Sequence, residues 1–157
     1  MAFLSTLNII GSGMTAQQVR MDVISENITN MNTTRTEDGG GAYRRKVVVF
    51  QAETNKNGFR RALARAASKG GTVSNRRVRQ AGGVRVAEIN DDEQTEMPFV
   101  YDPTHPDANE AGYVQMPNVT LVKEVTDMMA ASQAYNADVT LYNTFKQVVA
   151  RGLEMGQ

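Results

Sequence analysis

The chain has 157 residues, no net charge, 41% hydrophobic residues, five Phe, five Tyr, no Trp and no Cys. That length fits one ordinary domain, and so modest an aromatic content does not promise one large compact core. The missing Cys excludes disulfides, thiolate metal sites and thiol catalysis.

The first 31 residues carry the clearest periodicity. Phe3, Leu7, Ile10, Met14, Gln17, Met21, Ile24, Ile28 and Met31 step by four and three, which predicts a long helix with a heptad seam broken only at Gln17. Gly11 and Gly13 weaken that helix by about 1 kcal/mol each relative to Ala and mark a bend or a close helix approach. Asn27, Asn30, Asn32, Thr33 and Thr34 prefer caps and turns, so the helix is expected to stop there. The N-terminus lacks the basic and apolar regions of a secretory signal, and no apolar run is long enough to span a membrane.

Next comes Arg45–Phe50, β-branched and preceded by Gly39-Gly40-Gly41, which reads as a strand. Val84–Ile89, preceded by Gly82-Gly83, alternates apolar and polar as a second strand. Phe99–Tyr101 and Gly112–Val114 are shorter candidates. Between the first two strands, 53–81 is rich in Arg, Ala, Asn and Gly and reads as a mobile or partner-ordered excursion. The charges are segregated: Arg44 to Arg85 holds 12 Lys or Arg against Glu53 alone, whereas Glu88 to Glu110 holds eight acids and no Lys or Arg. Such blocks predict complementary surfaces, within one chain or between neighbours.

The last forty residues return to helical spacing. Leu121, Val125, Met128, Ser132, Tyr135, Val139, Tyr142, Lys146, Val149 and Leu153 form a second seam, and Leu141, Phe145 and Val148 widen its final turns. Pro117 and Asn118 stand where helix-start residues do. The expected organisation is therefore α+β: an N-terminal axial helix and cap over 1–34, a β-rich middle over 35–118, and a C-terminal axial helix over 119–157. The end helices are expected to pair like a coiled coil. Outer apolar residues Leu4, Val19, Val122 and Met129 then need neighbours, from polymerisation or from the chain's own β unit.

Asp102, His105 and Asp107 are the one cluster that suggests metal or acid–base chemistry; between Pro103 and Pro106 they read as a rigid turn instead. No cofactor, metal or catalytic residue is assigned. The Arg-rich block leaves a second reading open, a nucleic-acid-binding protein whose helices dimerise, although Phe59 alone could stack on bases. Gln17 and Ser132, polar at seam positions, are expected to fix register between subunits.

Residues 12–30 carry Gln17, Arg20-Met21, Asn27-Ile28 and Asn30 in an order that resembles the N-terminal signature of the flagellar rod and hook family, with Thr29 where Ala is usual. Gly40–Phe50, Val100–Ala108, Gly112–Val119 and Ala131–Asp138 resemble, in order, segments of a proximal-rod member of that family. Ala42, Gln133 and Asp138 depart from its pattern, and 53–81 is not covered. The resemblance implies a structural subunit of the bacterial flagellar basal body, exported by the flagellar type III apparatus without a cleaved signal. It implies stacking with itself and with other rod and basal-body proteins into an axial tube crossing the periplasm, terminal helices inward. On that reading the assembly residues are the seam positions together with Asn27 and Asn30.

Overall fold

A computed structural model describes residues 2–36, 41–53 and 82–154, with side chains from Ser5 onward. The elements are α1 (Ala2–Thr29), β1 (Lys46–Ala52), β2 (Val84–Asp91), β3 (Phe99–Tyr101), β4 (Tyr113–Gln115) and α2 (Leu121–Glu154). Two long helices flank two small antiparallel ribbons, β1–β2 and β3–β4. This is the expected α+β arrangement. The excursion read over 53–81 lies, from 54 onward, outside the described residues.

α1 ends where its polar residues turn the backbone. Asn30 Nδ2 donates to Glu26 O at 3.0 Å, and its Oδ1 accepts from the Thr33 hydroxyl at 3.1 Å, so the last turn is closed by a side chain. α2 opens after buried Pro117 and Asn118, with Glu124 N bonded to Thr120 O at 3.1 Å. Thr120 thus holds the N-cap position, one that Thr favours. The helices run antiparallel: Arg20 meets Asp127 and Asn27 meets Glu124, while Gly13 lies against Asp138, whose Oδ2 would stand 2.9 Å from an added Cβ. Gly13 therefore marks a close helix approach, whereas nothing lies within 4 Å of a Cβ at Gly11.

The first ribbon lies along α1. Lys46 meets Asn27 at one end, and at the other Ser12 Oγ accepts from Val84 N at 3.0 Å. Ser12 to Asn27 spans about 22 Å of helix, and β1 with Glu53 spans about 23 Å of strand, so the two lengths match. Both strands extend two residues past their predicted ends, and the register slips between Val49 and Phe50. Such a bulge re-aims the residues beyond it. Gly83 is fixed by proximity, since a Cβ there would lie 1.9 Å from Ser12 Oγ.

The second ribbon is closed by the proline-flanked loop. Asp102 Oδ1 accepts from Thr104 N and Oγ1, His105 Nδ1 accepts from Asp107 N, and Asp107 Oδ2 accepts from the Thr34 hydroxyl. Asp102, His105 and Asp107 thus serve the turn and tie it to the chain leaving α1. The Thr104 hydroxyl, ahead of its N–H, holds the Asp102 carboxyl below the usual range. Apolar burial is sparse. Among the described residues only Ala16, Val23, Ile24, Ala42, Tyr43, Val114 and Ala131 form a buried apolar core, so something else must lock the pieces together.

Candidate assembly interface

That lock is polar and sits where α1, the start of β1 and the start of α2 converge. Asn27 is fully buried and uses its whole amide. Its Nδ2 donates to Lys46 O at 2.9 Å and Glu124 Oε2 at 3.1 Å; its Oδ1 accepts from Lys46 N at 2.9 Å and the Tyr43 hydroxyl at 3.0 Å. Glu124, also fully buried, receives Arg45 Nε on its other oxygen at 2.6 Å. Arg45 Nη2 reaches Asp127 at 3.2 Å, and Arg20 approaches the second oxygen of Asp127 at 3.5 Å. A buried carboxylate is tolerated only with such a paired, hydrogen-bonded cation.

Asn118 extends the junction to the ribbon connection. Its Oδ1 accepts from Arg45 N at 2.7 Å while its Nδ2 donates to the carbonyls of Asp92 and Thr95. Burial, followed by the negative charges of Glu26, Asp91 and Glu124, pushes the Tyr43 hydroxyl well above its ordinary value and keeps it a donor. The Thr95 hydroxyl, reinforced by backbone N–H groups, holds Asp92 below the usual carboxylate range. Each polar group here satisfies another part of the same chain.

The predicted seam residues fall elsewhere. Ile24 is buried at 5% exposure. Leu7, Ile10, Met14, Gln17, Met21 and Ile28 of α1 are half-buried, as are Asn30 and, in α2, Met128, Ser132, Tyr135, Val139 and Val149. Leu121, Val125, Tyr142 and Leu153 are exposed, the last at 70%. Phe3 lies in α1 but its side chain is outside the described atoms. Gln17 Oε1 is buried without a hydrogen-bond partner among the described residues. Between the helices a polar row also runs through Gly13, Arg20 and Asn27, seven apart, facing Asp138, Asp127 and Glu124.

Asn27 therefore belongs to the intramolecular junction as well as to the predicted set. Glu124, Arg45, Tyr43 and Asn118 carry that junction; the sequence reading placed Asn118 only as a helix-start residue and Arg45 only in a strand, and assigned none of the four to a site. The signal was present in part: Tyr43-Arg44-Arg45-Lys46 and Pro117-Asn118-Val119 stood inside the resembling segments. Meanwhile α2 keeps an apolar stripe left open by the described residues, with Leu121 45%, Val122 75%, Val125 44% and Met129 60% exposed. Its C-terminal half adds Leu141 and Val148, at 56% and 62%. Contiguous exposed apolar area of this kind marks an interaction surface.

Residues 7–35 match the family described as flagella basal body rod protein, and residues 110–155 match the flagellar basal body rod FlgEFG protein C-terminal family. Both helical ends of the chain thus carry signatures of flagellar rod proteins. Three similar proteins extend the match across the full length of the chain, each bearing the name flagellar basal-body rod protein FlgC. They are from Bacillus subtilis (strain 168), 40% identical with both chains fully covered; Borreliella burgdorferi, 39% identical over 100% of this chain and 99% of the relative; and Escherichia coli O6:H1, 35% identical with full coverage of both. The chain belongs to the FlgC family of flagellar basal-body rod proteins.

Proposed function

We propose that the chain is a structural subunit of the bacterial flagellar basal-body rod, that it works in the proximal rod, and that its copies pack through the terminal helices. The full-length similarity to FlgC proteins carries this reading. The open stripe on α2 supports the assembly part, since a helix so apolar on a solvent face is completed by a neighbour. Its partners are other copies of itself and other rod and basal-body proteins. Its role is mechanical rather than enzymatic. Export by the flagellar type III apparatus without a cleaved signal, into a rod crossing the periplasm, belongs to the same proposal.

Within the packed rod, Gln17 sets register. Its place as a polar residue in an apolar seam motivates this role, since a single polar seam residue can fix register. Gln17→Leu is expected to leave helicity unchanged but impair ordered assembly; normal motility of such a strain would sink the idea. The reading as a whole is tested by deleting the gene in a flagellated host and imaging basal bodies. Rods arrested near the inner membrane are expected, and complete rods would refute it.

A further inference from the structure

The β3–β4 ribbon turns aromatic rings outward. Strand pairing sets Tyr101 opposite Tyr113 and Phe99 opposite Gln115, so these side chains share one face. On that face Phe99 is 62% and Tyr101 64% exposed, whereas Val114, between Tyr113 and Gln115, is buried. Tyr101 and Tyr113 meet edge to face at 5.3 Å between centroids. Beside Phe99 a groove of about 380 Å³ takes in Glu93 and Glu96 together with Arg44.

Rings next to carboxylates form a surface for guanidinium and ammonium groups, because the ring face attracts the cation while the carboxylate pairs with it. The chain itself contains a matching partner. Residues 54–81 hold eight Lys or Arg and no acid, and residues 88–110 hold eight acids and no Lys or Arg. Charge complementarity selects the basic segment as the occupant, and the described backbone shows where it begins. β1 starts at the polar junction beside Asn27 and carries the chain along α1 toward Ser12, where Glu53 N bonds Gly83 O at 2.7 Å. Glu53, after which the basic segment follows in sequence, thus lies at the end of the ribbon about 23 Å from the junction.

We propose that the acidic, aromatic face of β3–β4 is the docking site for basic segment 54–81 of a second copy of this chain. The proposal rests on the reading of the chain as an assembly subunit. One donor and one acceptor set apart on the same molecule make a heterologous contact, in which each copy engages the next and leaves its own acceptor for another. Contacts of this charge-paired type fix order and register and weaken with salt.

A mixture of isotope-labelled and unlabelled full-length chain, treated with a carbodiimide that joins lysine amines to carboxyls, tests it. Lys56 and Lys69 should couple to Glu93, Glu96 or Glu110 in pairs carrying mixed labels. The yield should fall on the order of tenfold between about 0.05 M and about 0.5 M salt. Arg76→Glu with Arg77→Glu, and separately Glu93→Lys with Glu96→Lys, should each abolish the mixed Lys69–Glu110 coupling, and the four changes combined should restore it. Circular dichroism checks that each variant folds, and Phe99→Ser with Tyr101→Ser, both exposed, offers a second route to the same loss. Coupling only within one label would make the occupant the chain's own segment, and no coupling would mean none; either overturns the proposal. A deletion strain separates this from the rod reading. If loss of the gene arrests rods while the wild-type chain shows no coupling in mixed-label pairs, the docking fails alone; if loss of the gene leaves rods complete, the rod reading fails.

Discussion

Arg45 and Glu124 show how much a single residue holds. The pair is deeply placed, with side chains 12% and 0% exposed, and among the described residues Glu124 has only Asn27 as its other side-chain partner. Arg45→Met would leave a buried carboxylate without its cation, which costs roughly 3–5 kcal/mol. That is a large part of the roughly 5–15 kcal/mol of an ordinary domain. Replacing Glu124 by Leu in the same chain should recover part of the loss, because it removes the orphaned charge but leaves one buried Asn27 N–H without its acceptor. Urea midpoints of the wild type, Arg45→Met and the double variant measure this; equal midpoints would mean that the junction is not what holds the helices. Tyr43 adds a pH signature. Its folded pKa is raised, so the folded state holds the phenolic proton more tightly than the unfolded chain does. The stability it contributes is complete below the unfolded value of about 10 and is lost as pH rises toward the folded value. Tyr43→Phe should cost about 1 kcal/mol near neutrality, yet lose less between about pH 9.5 and 11 than the wild type does. Parallel slopes in that window would contradict the assignment.

At the scale of elements, the ribbon and α1 are held by a contact that leaves no space for a methyl group. Gly83→Ala should lever the ribbon off α1 and break the Val84 N–H bond to Ser12, at a cost of about 1–3 kcal/mol. Adding Ser12→Ala should return part of it by removing the clashing hydroxyl, and a double-mutant cycle reads the coupling. Strict additivity would show that the two residues do not touch. The elements themselves were legible in sequence. Two heptad rhythms gave the helices, β-branched runs gave the strands, and Asn30 ended α1 as its chemistry suggested. The polar row between the helices was not legible: apolar periodicity locates the broad hydrophobic band of a helix, whereas Gly13, Arg20 and Asn27 meet acids through small volume and hydrogen bonding. Nor could Glu124 be picked out, since an acid in a first helical turn is ordinarily solvated and favoured there by the helix dipole. Only the arrival of Arg45 and Asn27, each more than 75 residues away in sequence, makes its burial tolerable.

At the scale of the molecule, the open stripe on α2 separates folding from assembly. Val122→Lys with Met129→Lys alters two residues at 75% and 60% exposure, so the free chain should keep its stability within about 0.5 kcal/mol. Assembly should nevertheless fail, because each introduced ammonium group would have to be desolvated in an apolar contact. Motility of a deletion strain carrying the variant, read beside its urea midpoint in solution, is the measurement. Normal swimming would show that this face stays open in the rod.

The sparse apolar core has a thermal consequence. The heat-capacity change of unfolding comes from apolar surface newly exposed to water and is offset by polar surface. Among the described residues few apolar side chains are fully buried and the junction is built of amides, carboxylates and a guanidinium, so unfolding exposes comparatively little of the first and more of the second. Its stability curve should therefore be flatter than that of a domain of similar length, with a heat-capacity change well below the ordinary ~12–15 cal/mol/K per residue. A subunit of this kind changes little in stability with temperature when alone, and acquires the steep thermal response of a compact protein only when neighbours cover its stripe.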